Sequence, residues 1–242
     1  MPLLIALLVI VVVVVIYGAY CSSKAKKCRD EVIERKKAFV ESHWPDARIV
    51  VNDGVHLFFK DDAACFFGCD ESGKTYRFED LLSIQKYNTG IQFSVQPIFD
   101  MIKLGKAYPS EEGTVAMDAA SIDRIYTEMM PVLKVNLKKV LAEYGMTSTH
   151  EYEIDGEIWG CDINIRKFYC VVACPEIFDF SDLRRVTIDD LRNNTLYDGS
   201  YIIHVYIKQE DADDMEYEIH IKSPDATYHG LLAMFKGIRN RQ

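Results

Sequence analysis

Apolar and polar positions change their rhythm three times along this chain. The first stretch has no rhythm: between Met1 and Ser23 there is no charged side chain, and PLLIALLVIVVVVVIYGAY is almost wholly apolar. About 20 such residues, at 1.5 Å each, span the hydrocarbon core of a bilayer, so Pro2 to Cys21 predicts one transmembrane helix with Tyr17 and Tyr20 at the interface. A cleaved secretory signal is the alternative, but it calls for a basic leading region and a small-x-small cleavage site, and neither is evident. A lipoprotein box fits badly, because Tyr20 stands where a small residue should precede Cys21.

The second rhythm is helical and polar. AKKCRDEVIERKKAFVESHW places Ile33, Val40 and Trp44 seven and four apart, and Pro45 blocks continuation. A short stalk helix over residues 24–45 follows. The third rhythm has period two. ARIVV, VHLFF and ACFFGC are short apolar runs separated by NDG, KDDA and DESGK, which are turn chemistries; strands joined by tight turns are expected. IDGEIWGCDIN, FYCVVAC and IFDFSDL repeat that plan, broken at Arg166-Lys167 and Pro175-Glu176.

The two strand series align. Asp53-Gly54 matches Asp155-Gly156 at an offset of 102, Cys65 and Cys69 match Cys170 and Cys174 at 105, and Phe78-x-Asp80-Leu81 matches Phe180-x-Asp182-Leu183 at 102. The expectation is an internal duplication. Each copy runs into a helix. Asp118 opens the first, whose stripe is Ile122, Ile125, Met129, Leu133, Leu137, Val140 and Tyr144; Pro131 kinks or restarts it and Gly145 ends it. Asp225 caps the second, with Leu231, Leu232, Phe235 and Ile238 on one face. Before the second helix, YIIHVYIK and EYEIHIK read as a hairpin folded about Ala212, with Lys208 opposite Glu216, Tyr206 opposite Glu218 and His204 opposite His220. In the first copy, Pro97 spoils the corresponding central strand.

The predicted fold class is α+β: a transmembrane helix over residues 1–23, the collar and stalk over 24–45, and two β-rich modules over 46–145 and 146–242, each closed by an amphipathic helix. A strand series with an aromatic-x-Phe-x-Asp-Leu segment, a hairpin such as IIHVYIK to YEIHIK, and a closing helix resembles the pleckstrin-homology-like modules of bacterial membrane and cytosolic proteins. The resemblance covers residues 151–239 and, more weakly, 46–144. It implies bent sheets or barrels used for binding, and brings no catalytic residues; the family's basic lipid-binding loops have no clear match here.

Charge narrows the partners. Lys24, Lys26, Lys27 and Arg29 form a basic collar just after the apolar run, and cationic flanks stay cytoplasmic, so the body is expected in the cytosol with the N-terminal end outside. The chain carries −9, and −13 once those four cations are set aside. Such a body repels nucleic acid and anionic lipid, while the collar attracts anionic headgroups by about 1 kcal/mol per residue. Seven cysteines, an odd number in a cytosolic body, favour reduced thiols.

Candidate chemistry is sparse. Cys65 and Cys69, four apart on one strand, would lie about 13 Å apart, too far for a shared zinc or a disulfide, so the Cys positions read as equivalent core layers. Asp80 and Asp182 read as backbone caps at a strand corner. His204 with His220, or the acidic loop 210–216 with Glu210, Asp211, Asp213 and Asp214, could attract a cation, but the loop lacks EF-hand spacing and a solvated surface is the better reading. Phe58, Phe59, Phe66 and Phe67 either line a peptide groove or fill the core, the latter being favoured. No phosphate loop, nucleophile elbow or zinc spacing occurs, so no catalytic, cofactor or metal residue is assigned. A membrane-tethered binding or scaffolding protein with an unknown protein partner is expected. The alternatives are an enzyme of unknown class and an exported domain.

Overall fold

A computed structural model of the chain describes residues 2–43, 45–52, 56–62, 64–68, 74–96, 100–106, 115–147, 149–191, 201–209 and 213–242, with side chains described from Val14 onward for most of these. The chain divides into two compact units, Met1–Arg77 and Phe78–Gln242.

In the first unit the expected anchor and stalk form a single helix, α1 (Pro2–His43), 42 residues long. At 1.5 Å per residue it extends about 63 Å. Its last residue lies two before Pro45, where proline sterics demand an end. Among the described residues no helix is long and apolar enough to cross a membrane. Residues 2–13, most of the expected span, have side chains outside that description. Four antiparallel strands follow in the order β1 (Arg48–Asn52), β2 (Leu57–Lys60), β3 (Ala64–Gly68) and β4 (Lys74–Arg77). Val51, Phe58 and Phe59 are buried, and Ile33 of α1 packs with Leu57 and Phe59. Phe58 and Phe59 therefore fill core rather than line a groove. Phe66 and Phe67 lie on β3 with side chains outside the described set, as do Asp53, Gly54, Cys69 and Pro97 altogether.

The second unit opens with a 3₁₀ turn, Phe78–Asp80, and the antiparallel sheet β5 (Leu81–Tyr87), β6 (Gly90–Val95) and β7 (Asp100–Gly105). That sheet corrects the expectation for Pro97: β6 ends at Val95, so the proline lies beyond the strand and the ladder forms. Helix α2 (Ala119–Glu143) covers β5. Then come β8 (His150–Ile154), β9 (Glu157–Asp162), β10 (Lys167–Val171) and β11 (Pro175–Asp179), a second 3₁₀ turn at Phe180–Asp182, the sheet β12 (Leu183–Asp190), β13 (Tyr201–Ile207) and β14 (Met215–Ile221), and helix α3 (Ala226–Arg239). The chain is thus α+β, and the order four strands, 3₁₀ turn, three strands, helix occurs twice.

The two occurrences match in detail. Both 3₁₀ turns are followed by a β-bulge after the first strand residue, Leu81 or Leu183. Gln96 N donates to Asp80 O at 2.9 Å, and Lys208 N to Asp182 O at 2.8 Å. A side-chain amide clamps each corner: Asn136 Nδ2 donates to the carbonyls of Phe78 and Leu81, Gln242 Nε2 to those of Phe180 and Leu183.

The same registers correct the cysteine alignment. Ala64 pairs with Arg77 and Lys167 with Asp179, each partner directly preceding its 3₁₀ turn, so Cys65 is equivalent to Phe168 and Cys170 to Phe67. Cys174 sits in the bend between β10 and β11, not on a strand. The thiols do not mark equivalent layers. A local spacing of four was matched across turns of different length, and only strand pairing sets the true phase.

The core of the second half gathers Trp159, Phe168, Phe180, Ile203, Val205 and Ile219 under α3, which contributes Leu231, Phe235 and Ile238. Leu232 is only partly buried. On α2 the buried stripe follows Ile122, Ile125, Met129, Leu133 and Leu137, then Leu141 in place of Val140; Tyr144 is the C-cap and exposed. Pro131 lies inside α2 without dividing it. Gly145, at φ +75°, turns the chain so that Met146 N closes onto Leu141 O at 2.9 Å.

The hairpin register also differs from the expected one. Tyr206 pairs with Glu216, His204 with Glu218 and Ile202 with His220. Alternation has period two, so a slip of two keeps Ile203, Val205, Ile219 and Ile221 inward and leaves the apolar pattern unable to distinguish the registers.

Within this unit β5 meets the β8–β9 turn. Lys86 N donates to Asp155 O at 2.7 Å. Tyr126 of α2 donates to Glu153 at 2.5 Å, and Lys134 lies 2.8 Å from the same carboxylate.

Candidate functional site

Strand alternation sends Ile203, Val205 and Ile207 inward, so His204 and Tyr206 project from the opposite face of the β12–β14 sheet. The register brings Arg185, Thr187 and Asp189 of β12 to one side of them and Glu216, Glu218 and His220 of β14 to the other.

His204 is the centre of this face. Its Nδ1 lies 2.8 Å from Glu216 Oε1 and 3.9 Å from Glu218 Oε1, and its Nε2 lies 3.3 Å from Asp189 Oδ2. The His204 side chain is 13% exposed, whereas the three carboxylates are 41–60% exposed. Tyr206 stacks alongside the imidazole at 6.5 Å, and the Arg185 guanidinium sits 3.9 Å from the Tyr206 ring centre. The Tyr206 hydroxyl bonds to Glu216, which raises the phenol above its ordinary range and holds the Glu216 carboxyl below its own, with His204 adding to the latter effect.

The expected His204–His220 pair is not a cross-strand pair. Glu218 lies between them, with His220 Nε2 3.4 Å from Glu218 Oε2. Of the acidic loop, residues 210–212 fall outside the described set, Asp213 and Asp214 are exposed, and Asp214 faces Arg184 at 3.8 Å. Among the loop's described residues only Glu216 joins the site. Asp189 was not singled out by sequence, and nothing local could have done so, because it stands fifteen residues from His204 and the two meet only by the pairing of β12 with β13.

A second polar cleft, of about 280 Å³, lies where β5–β6 meets the β8–β9 turn, lined by Lys86, Asn88, Asp155, Glu157, His220 and Lys222. Burial pushes the Glu157 carboxyl up to about 7, with the Asp155 charge adding to it and the Trp159 indole pulling the other way. Of the remaining candidates Asp182 and Cys170 are structural, while the side chains of Cys65 and Cys69 lie outside the described set. Asp182 accepts from Asp179 N at 2.9 Å, the cap expected at that corner. Cys161 and Cys170 are buried and burial raises both thiols, which makes them inert. In the collar, Lys24, Lys26 and Lys27 are exposed on α1; the side chain of Arg29 lies outside the described set.

Comparison with family models, curated proteins and solved structures gave no match.

Proposed function

We propose that the chain is a single-pass membrane protein whose cytosolic body, two pleckstrin-homology-like modules over residues 46–145 and 146–242, binds or scaffolds a protein partner. The observation that carries the tether is continuity: the uncharged residues 2–23, the collar of Lys24, Lys26, Lys27 and Arg29, and the stalk belong to one unbroken helix. An apolar rod with cations on one flank is oriented with that flank cytosolic, where the collar meets anionic headgroups. The doubled element order supports a body of two like modules. Its described outward face, around His204 and Tyr206, offers charge and aromatic surface of the sort that recognises polypeptide, whereas the −13 body repels the like-charged backbone of nucleic acid.

Alkaline extraction of membranes, followed by protease treatment of sealed vesicles, tests the tether. The full chain should stay with the lipid and its body should be digested only when the cytosolic side is open. Material that begins after Cys21 and is free of lipid would establish the exported alternative instead. Crosslinking in native membranes should then capture a stoichiometric protein partner; turnover of a metabolite by the purified chain without any such partner would replace scaffolding with catalysis.

A further inference from the structure

We infer that His204, Glu216 and Glu218 form a binding site for a divalent first-row transition ion of the Zn²⁺ type, with Asp189 holding the imidazole from behind. Among the described residues these three offer one nitrogen and two oxygens that all lie within 4.8 Å of one another. Ligand atoms at about 2.0–2.1 Å from a tetrahedral ion stand about 3.3 Å apart. The observed separations from Nδ1, 2.8 Å to Glu216 and 3.9 Å to Glu218, bracket that value, so an ion needs only side-chain rotation and no backbone movement.

The two ring nitrogens have different surroundings. Nε2 faces Asp189 Oδ2 at 3.3 Å, the arrangement in which a carboxylate takes the N–H of a ligating histidine and leaves the other nitrogen's lone pair free. Nδ1 lies 2.8 Å from Glu216 Oε1 with Glu218 Oε1 at 3.9 Å, so an ion that displaces the ring proton on that side would meet both carboxylates. Three carboxylates surround one imidazole here, so negative charge remains even when an imidazolium and the nearby Arg185 guanidinium are both counted. Imidazole with two carboxylates suits Zn²⁺ and its neighbours, whereas Mg²⁺ and Ca²⁺ prefer all-oxygen sets. The ligands rise from β13 and β14, joined by seven register pairs, and Asp189 from β12, so the sheet presets their spacing.

The test is titration of the reduced full chain in detergent micelles with Zn²⁺ and, for its spectrum, Co²⁺. One ion per chain should bind, with the visible bands of a low-coordinate nitrogen and oxygen site and no thiolate charge-transfer band. His204→Ala should weaken this binding at least tenfold, and Asp189→Asn by about tenfold to a hundredfold through loss of the supporting hydrogen bond. Circular dichroism checks that each variant folds; Glu218→Gln, on an exposed side chain, supplies the same readout if His204→Ala does not. Absence of saturable binding at millimolar Zn²⁺, binding unchanged in these variants, or equal competition by Mg²⁺ would overturn the assignment.

Discussion

Gly156 has no freedom to become anything else. It sits at φ +102° and a Cβ there would fall 1.9 Å from the carbonyl oxygen of Ile84, so both its backbone and its neighbour on β5 exclude a side chain. Gly156→Ala should lower stability by at least about 2 kcal/mol in urea denaturation of the full chain. Gly237, inside α3, meets only the mobile end of Arg241 at 3.3 Å, and Gly237→Ala should be neutral or gain up to about 1 kcal/mol. Asn136 acts by a hydrogen-bonding device: Asn136→Ala leaves the carbonyls of Phe78 and Leu81 without their amide partner, with an expected loss of about 1–3 kcal/mol. Glu157 supplies a pH dependence. Because burial raises its carboxyl to about 7, the folded chain holds that proton more tightly than the unfolded chain, whose carboxyl titrates near ~4.3. The stabilisation is full below the unfolded value and is lost as pH climbs through 7. Glu157→Gln should flatten the fall in stability between pH 5 and 8, about 1.4 kcal/mol per unit at most, and leave the variant the more stable protein at the upper end; parallel slopes would show that Glu157 is not the titrating group.

At the scale of elements, local and non-local chemistry separate cleanly. Asp118 accepts from Ser121 N at 2.9 Å and Asp225 from Tyr228 N at 3.0 Å, as their positions before apolar-periodic runs predict, and replacement of either by Ala should lower the thermal unfolding midpoint of the chain. The α3 face was legible for the same reason, since a 3.6-residue period lies within fourteen residues of chain. Leu231→Ala, at a site with no exposed area, should cost about 2–5 kcal/mol, and the loss should be read in thermal unfolding of the whole chain. The β13–β14 register was not legible: the expected pairing and the observed one bury the same residues and differ by two positions, so an alternating pattern is satisfied by both. That slip matters for the site, because it brings Glu218 opposite His204 and sends His220 opposite Ile202.

For the whole molecule, the repeat accounts for more than the short motifs that first suggested it. Two 3₁₀ corners and two bulges recur at an offset of 102 residues from Phe78 to Phe180, and the amides that clamp the corners, Asn136 and Gln242, at 106, although the cysteines of the two copies are not equivalent. Removing residues 2–21 should release the chain from membranes without changing the β-sheet signal in circular dichroism, if the apolar run serves only as tether. Residue order alone was enough for whatever depends on neighbours a few positions away: the helical character and charge asymmetry of the N-terminal segment, the strand alternation, the two capping aspartates and the Gly145 stop. Tertiary structure alone decided which strands pair in which phase, that β6 forms and ends at Val95, that Cys170 stands in the place of Phe67, and that Asp189, His204, Glu216 and Glu218 converge. The reason is that a period of two or 3.6 is written in the chain itself, whereas register and convergence are set by how separate stretches exclude water against one another, and several sequences of contacts satisfy the same pattern until packing selects one.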